Sequence, residues 1–87
     1  MKIKNGFLLR EVAGSFVVVA VGDAVKHFNG IINLNETSAF LWRNIEKGLD
    51  EQGLVDALVT TYEVDKEIAT SDVRSFITKL TEAGLVE

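Results

Sequence analysis

The first part of the chain carries short runs of apolar and β-branched residues separated by glycines. Phe7 to Val12 is followed by a break at Ala13-Gly14, and Phe16 to Val21 then gives six consecutive apolar residues. Runs of this length and composition, bounded by glycine, predict two strands joined by a tight turn at Gly14.

A third extended segment is predicted from His27 to Leu34. It contains Asn29-Gly30, a pair that is typical of either a hairpin turn or a bulge. In both cases the residues from Ile31 to Leu34 are expected to form the strand itself.

From residue 35 onwards the apolar period changes to that of an α-helix. Asn35 and Asp50 each precede an apolar stripe and can cap a helix, and Gly48 supplies a left-handed stop between the two. Phe40 falls off the first stripe; we interpret it as filling the core against the sheet, with an exposed anchor for a partner as the alternative. The apolar positions recur at spacings of three and four: Leu41, Trp42, Ile45 and Leu49 in the first helix, and Leu54, Val55, Leu58 and Tyr62 in the second.

The cluster Thr70-Ser71-Asp72 predicts the start of a third helix, because these residue types favour helix N-caps. Gly84 ends this helix, and the apolar tail Leu85-Val86 is expected to fold back on the core. The apolar face of the helix consists of Val73, Phe76, Ile77 and Leu80. Three strands followed by three helices predict an α+β domain with the helices on one side of a three-stranded antiparallel sheet.

The length and composition allow one small domain. A chain of 87 residues leaves no room for a second domain, so residues 1–87 are treated as one, and a hydrophobic fraction of 47% excludes disorder. The absence of Cys excludes disulfides, thiolate nucleophiles and Cys-based metal sites. A membrane-spanning helix needs ~20 apolar residues, far more than the six of the run from Phe16 to Val21. The N-terminus does not have the pattern of a secretory signal. We therefore expect a cytoplasmic location and no membrane partner.

Candidate catalytic groups are few. His27 is the single histidine, and it has neither a partner at the spacing of a catalytic triad nor a second histidine for a metal site. The seven glycines are scattered as turn and cap residues, without a phosphate-binding or dinucleotide fingerprint. Carboxylates such as Glu46 and Glu82 are assigned to solvated helix faces. The sequence predicts no enzyme activity, no metal and no cofactor.

The last two helices have helix-turn-helix proportions, which raises DNA binding as an alternative. From Ser71 to Ala83 the charges balance, with Arg74 and Lys79 against Asp72 and Glu82. The whole chain carries a net charge of −4 and a pI near 4.9. Contacts with phosphate need an excess of positive charge. No nucleic-acid partner is expected, and a winged-helix regulator stays the alternative function.

The predicted sheet has apolar residues on both faces. Phe16 to Val21 does not alternate with polar residues, and Ile31-Ile32 also places apolar groups on both sides. Three short helices can cover one face, so an apolar surface or an open strand edge is left for a partner. A curled sheet or a homodimer that hides this surface is the structural alternative.

Several segments of the second half form an ordered set with characteristic intervals. They are Leu34-Asn35-Glu36-Thr37-Ser38-Ala39-Phe40-Leu41-Trp42, a helix ending at Tyr62, and Asp72-Val73-x-x-Phe76-Ile77-x-x-Leu80-x-x-x-Gly84-Leu85. This set resembles the pyrroloquinoline quinone synthesis protein D (PqqD) family over most of the chain. The resemblance implies a winged-helix-like domain and a non-catalytic peptide chaperone. Such chaperones bind the leader of a ribosomally made precursor peptide and present it to a modifying enzyme, often a radical S-adenosylmethionine (SAM) protein.

The resemblance also implies where a leader peptide binds: as an added strand on the edge of the third strand, beside the last helix. Carried onto this sequence, the peptide runs along Ile31, Ile32 and Asn33. The facing residues of the last helix are then Arg74, Ile77, Thr78 and Thr81. Core packing is the alternative role for Ile77, and Arg74 is expected to pair either with an acidic leader residue or with solvent.

Side-chain parity places Ile32 and Leu34 toward the helices, and Ile31 and Asn33 on the opposite face of the sheet.

The chain departs from the family pattern at two turns. Members of the quinone pathway show Pro-Glu-Gly before the third strand and Asp-Gly after the first helix. This chain has Phe28-Asn29-Gly30 and Lys47-Gly48-Leu49 there. We therefore do not assign the chain to the quinone pathway. Binding the leader of another modified peptide, such as a lasso or thioether peptide, is equally compatible with the sequence.

Overall fold

The sheet of the protein is a three-stranded meander. A computed structural model describes residues 1–28 and 30–87. The antiparallel strands β1 (Phe7–Val12), β2 (Ser15–Ala20) and β3 (Ile32–Leu34) lie in the order β1-β2-β3. The link between β1 and β2 is Ala13-Gly14, where both residues have positive φ (52° and 81°), as a tight two-residue hairpin requires. The predicted pair of strands joined at Gly14 is confirmed, with β2 one residue earlier than expected.

The predicted extended segment from His27 onwards is wrong in its first part. The chain forms a 3₁₀ turn at Gly22–Lys26, and the His27 N–H donates to the Ala24 carbonyl at 3.1 Å. Phe28 then packs edge-on against Phe7, with ring centroids 5.5 Å apart. The aromatic contact holds this segment against the start of the sheet, so His27 ends a turn instead of lying on a strand.

The third strand begins at Ile32, one residue later than predicted. Gly30 precedes it with φ 113°. Asn29 lies outside the described residues, so the predicted turn or bulge at Asn29-Gly30 stays a prediction.

The helices are α1 (Glu36–Glu46), α2 (Glu51–Tyr62) and α3 (Lys66–Glu82). Both predicted caps are confirmed: the Ser38 N–H donates to Asn35 Oδ1 at 2.7 Å, and the Gly53 N–H donates to Asp50 Oδ1 at 2.8 Å. Each bond satisfies an N–H group that the first helical turn leaves without a partner. Gly48 ends the first helical segment with φ 97°, as predicted.

The start of α3 is a correction. The helix begins at Lys66, after the N-cap Asp65, and not at the cluster Thr70-Ser71-Asp72. Inside the helix the Thr70 hydroxyl donates to the Lys66 carbonyl at 2.8 Å, so it bonds backward along the helix instead of capping it. Ala69 is fully buried, and this contact with the core draws the preceding residues into the helix.

The core lies between the helices and one face of the sheet, which we call the inner face. Val18 and Leu34 supply the sheet's most buried side chains. The largest fully buried side chains are Trp42, Leu41, Leu54, Leu58, Leu80, Leu85, Val18 and Val73. The α+β architecture with helices on one side of the sheet is confirmed.

Phe40 packs against the helical layer. Its ring is partly buried and meets the Tyr62 ring of α2 edge-on, with centroids 5.3 Å apart. Core filling is confirmed, and the ring contact of Phe40 is with α2.

The C-terminal tail folds back, as predicted. Leu85 is fully buried, and its carbonyl accepts a hydrogen bond from the Lys4 N–H at 2.9 Å. Ile3 and Val86 form an antiparallel bridge, and the Glu87 N–H donates to the Lys2 carbonyl at 2.8 Å. The two ends of the chain are therefore joined along one short ladder.

The other face of the sheet, the outer face, is apolar and uncovered by the helices. Leu8 and Val12 of β1 are 38% and 60% exposed, and Ile31 before β3 is 61% exposed. Arg10 lies between the two β1 residues, on the same face by strand alternation. This confirms that the sheet is apolar on both sides.

We expect Gly6→Ala to destabilise the domain more than Gly14→Ala. Gly6 has φ 95°, and a Cβ there would lie 2.7 Å from the Ala24 Cβ, whereas Gly14 has φ 81° and open space. Left-handed strain alone costs about 1–2 kcal/mol in each variant. The steric clash adds to this at Gly6 only. Urea unfolding of both variants measures the difference, and equal losses would contradict it.

Candidate functional site

Within residues 1–28 and 30–87 no strand pairs with the edge of β3 that faces away from β2, so this edge is open. Its hydrogen-bonding direction follows from the register. Val12 and Ser15 close a two-residue hairpin, so they exchange backbone hydrogen bonds. Hydrogen-bonded and non-hydrogen-bonded pairs alternate along an antiparallel ladder. Val17 therefore bonds to β1, while its neighbours Phe16 and Val18 bond to β3.

On β3, Leu34 pairs with Phe16 and Ile32 pairs with Val18. The N–H and C=O groups of Leu34 and Ile32 therefore form their hydrogen bonds with β2. Asn33 lies opposite Val17, so its N–H and C=O point away from β2. The Asn33 peptide group consequently offers one donor and one acceptor to any strand that lies along this edge.

A groove begins where the β3 edge ends. Asn35, the residue after Leu34, lines it together with the first turns of α1 and the central turns of α3. Its lining residues are Asn35, Thr37, Ser38, Leu41, Asp72, Ser75, Phe76 and Lys79. We call this the α1–α3 groove. Through Asn35 it adjoins the end of the β3 edge, so an extended chain that follows β3 past Leu34 meets a surface for its side chains.

The three predicted β3 residues lie together at the edge. Ile31 and Asn33 are exposed on the outer face, whereas Ile32 is partly buried and packs against the core on the inner face with Leu34. The predicted division of these side chains between two faces is confirmed. Their contact with a peptide stays a prediction.

The four predicted α3 residues are not among those that line the α1–α3 groove. Arg74 reaches α2, where its Nε lies 3.4 Å from Glu51 Oε2, and the two side chains are 69% and 50% exposed. Ile77 is partly buried against the core, which confirms the packing alternative, and the Thr81 hydroxyl donates to the Ile77 carbonyl at 2.8 Å. Thr78 is exposed. A contact of these four with a peptide stays a prediction.

The side of α3 that lines the α1–α3 groove is not among the site residues predicted from the sequence. Asp72, Ser75 and Lys79 recur at spacings of three and four, which places them on one stripe beside the buried Phe76. The spacing was visible, but both flanks of α3 carry polar stripes. Which flank faces α1 depends on the packing of the helices, and no local pattern encodes it.

Two further groups belong to other parts of the surface. His27 is exposed at the end of the 3₁₀ turn. Among residues 1–28 and 30–87, no cluster of three or more His, Asp or Glu side chains is placed to hold a metal ion. No helix in the described part of the chain is long and apolar enough to cross a membrane.

The sequence model of the family described as Coenzyme PQQ synthesis protein D (PqqD) matches residues 15–86. The chain belongs to the PqqD family. The match begins at β2 and runs through α3 to the bridge residue Val86, so it covers the open edge, the groove and the tail of this PqqD-family domain.

Two solved structures share the PqqD-family fold seen here. One is described as TbiB1 in complex with the TbiA(beta) leader peptide; it has a TM-score of 0.81 and 23% identity, over 100% of this chain and 95% of that one. The other is a lasso peptide synthetase B1 complexed with the leader peptide, with a TM-score of 0.80 and 20% identity, over 99% and 95% of the two chains. No curated protein sequence matches the chain.

Proposed function

We propose that this PqqD-family domain binds the leader of a ribosomally made precursor peptide, without covalent chemistry, as a strand added to the edge of β3. The observation that carries the proposal is the outward-facing peptide group of Asn33 at the open edge. A strand laid there completes the backbone hydrogen bonds, and pockets beside it select side chains. The two structural neighbours, each solved with a leader peptide, support a leader peptide as the ligand.

In this proposal the peptide backbone lies along Ile31, Ile32 and Asn33, and its inward side chains lie against the α1–α3 groove. That route favours contacts with the flank of α3 that carries Ser75 and Lys79 over the flank that carries Arg74. The two routes predict different perturbed residues, which an NMR titration separates.

The bound leader is then presented to a separate modifying enzyme, such as a radical SAM protein, so the domain acts as a chaperone and not as a catalyst. The exposed outer face of the sheet, with Leu8, Val12 and Ile31, is available to such a partner while the β3 edge is occupied. The class of the precursor peptide depends on the pathway to which its leader belongs. The proposal does not assign the quinone pathway, because residues 28–30, before β3, lack the family's Pro-Glu-Gly sequence.

An amide NMR titration with the leader segment of a short reading frame encoded beside the gene tests the proposal. We expect shifts at residues 31–34 and at Asp72, Ser75 and Lys79 of α3. Shifts at Arg74, Thr78 and Thr81 without Ser75 or Lys79 would place the peptide on the other flank. Unmoved amides at the β3 edge, in a sample that light scattering shows to be monomeric, would contradict strand addition.

A further inference from the structure

Two opposite charges line the α1–α3 groove. Asp72 and Lys79 are both exposed, and the other lining side chains are uncharged. The two are seven positions apart in the helix, which places them about 10 Å apart along the axis of α3, too far to pair with each other. Within the described residues the ion pairs are Lys26 with Asp23 and Arg74 with Glu51, so neither groove charge takes part in an ion pair.

The separation of the two charges fits the repeat of an extended peptide. A strand rises about 3.3 Å per residue, and every second side chain points to the same face. Residues at positions i and i+4 of a bound strand therefore lie about 13 Å apart on the groove side. The long side chains of Lys79 and of a peptide lysine or glutamate cover the remaining difference.

We propose that Asp72 and Lys79 select the order of charges in the bound peptide, with a basic residue opposite Asp72 and an acidic residue four positions away opposite Lys79. This inference rests on the proposed strand addition at β3. The reversed order brings like charges together at both positions. Each exposed pair contributes at most about fivefold in affinity, so the two together give roughly tenfold discrimination between the orders.

Two synthetic peptides of identical composition test the inference. Both are alternating Thr and Val strands with two charges at positions i and i+4 facing the groove; one has Lys first and the other has Glu first. We expect wild-type protein to bind one of them about tenfold more tightly, and the double variant Asp72→Lys/Lys79→Asp to prefer the other. The swap leaves the net charge unchanged, so a general electrostatic effect does not produce the reversal.

Two controls accompany this swap. The variant Lys66→Glu/Glu67→Lys exchanges charges in the first turn of α3, at residues that do not line the groove, and it should keep the wild-type preference. A peptide with its charges at i and i+3 turns one of them to the outer face, and the preference should shrink.

The outcomes separate the inference from the proposed function. Equal affinity for both orders, with amide shifts at residues 31–34, overturns the charge selection and leaves strand addition standing. A preference that survives the Asp72→Lys/Lys79→Asp swap also overturns it. Failure of both peptides to bind at about 1 mM, the weak end of specific binding, overturns strand addition at this edge and the inference with it.

Discussion

Replacing Asn33 by proline should weaken leader binding about tenfold or more while the domain stays folded. Proline removes the N–H that points to the open edge, and its ring occupies the space of an incoming carbonyl. The N–H groups that pair β3 with β2 belong to Ile32 and Leu34, and this variant leaves them in place. Proline is tolerated on edge strands for this reason. One lost backbone hydrogen bond accounts for up to about tenfold in affinity, and the steric conflict adds to it.

Matched variants at and beside this position separate the backbone from the side chain. Asn33→Ala keeps the N–H and should retain most of the affinity, whereas Ile32→Pro removes a hydrogen bond within the sheet and should destabilise the domain. Calorimetric titration with the leader gives the affinities, and amide spectra report the fold. Tight binding by a folded Asn33→Pro variant would show that the peptide does not use this edge.

Replacing Leu85 by alanine should lower the free energy of unfolding by about 2–5 kcal/mol, the range for truncating a buried leucine. Leu85 is fully buried although it lies two residues from the end of the sequence. The loss includes the transfer of the removed methyl groups and the cavity that they leave. Urea unfolding followed by the fluorescence of Trp42, the single tryptophan, measures it.

Leu8→Ala is the control for this truncation, because Leu8 is 38% exposed on the outer face. It removes the same atoms and should cost less than about 1 kcal/mol, since a surface site leaves little cavity. If Leu85→Ala is as mild as Leu8→Ala, the tail is not part of the core in solution.

The elements that could be predicted from sequence are those encoded by neighbouring residues. The hairpin at Ala13-Gly14 follows from glycine between two apolar runs. The caps Asn35 and Asp50 each serve an N–H three residues away. The burial of Leu85 could be predicted because exposing an apolar pair after Gly84 to water is unfavourable. Each of these inferences depends on contacts or turns whose partners lie close in sequence, or on burial alone.

The parts that failed depend on contacts between distant segments. The cluster around Thr70 has the composition of a cap, but burial of Ala69 against the core extends α3 back to Lys66. The contact of Phe28 with Phe7 closes a 3₁₀ turn where an extended segment was expected. The groove flank of α3 depends on which neighbour the helix meets on each side. In all three cases the tertiary packing determines the local structure, and the local sequence does not.

The bridge between Ile3 and Val86 brings the two chain ends side by side, within one hydrogen bond of each other at Lys2 and Glu87. A partner fused to either end therefore departs from the same point on the surface, and the choice of end changes its tether geometry little. A short linker could also join the ends of the chain, with new termini opened at the exposed hairpin Ala13-Gly14. Such a circular permutant would keep every helix and the β3 edge uninterrupted.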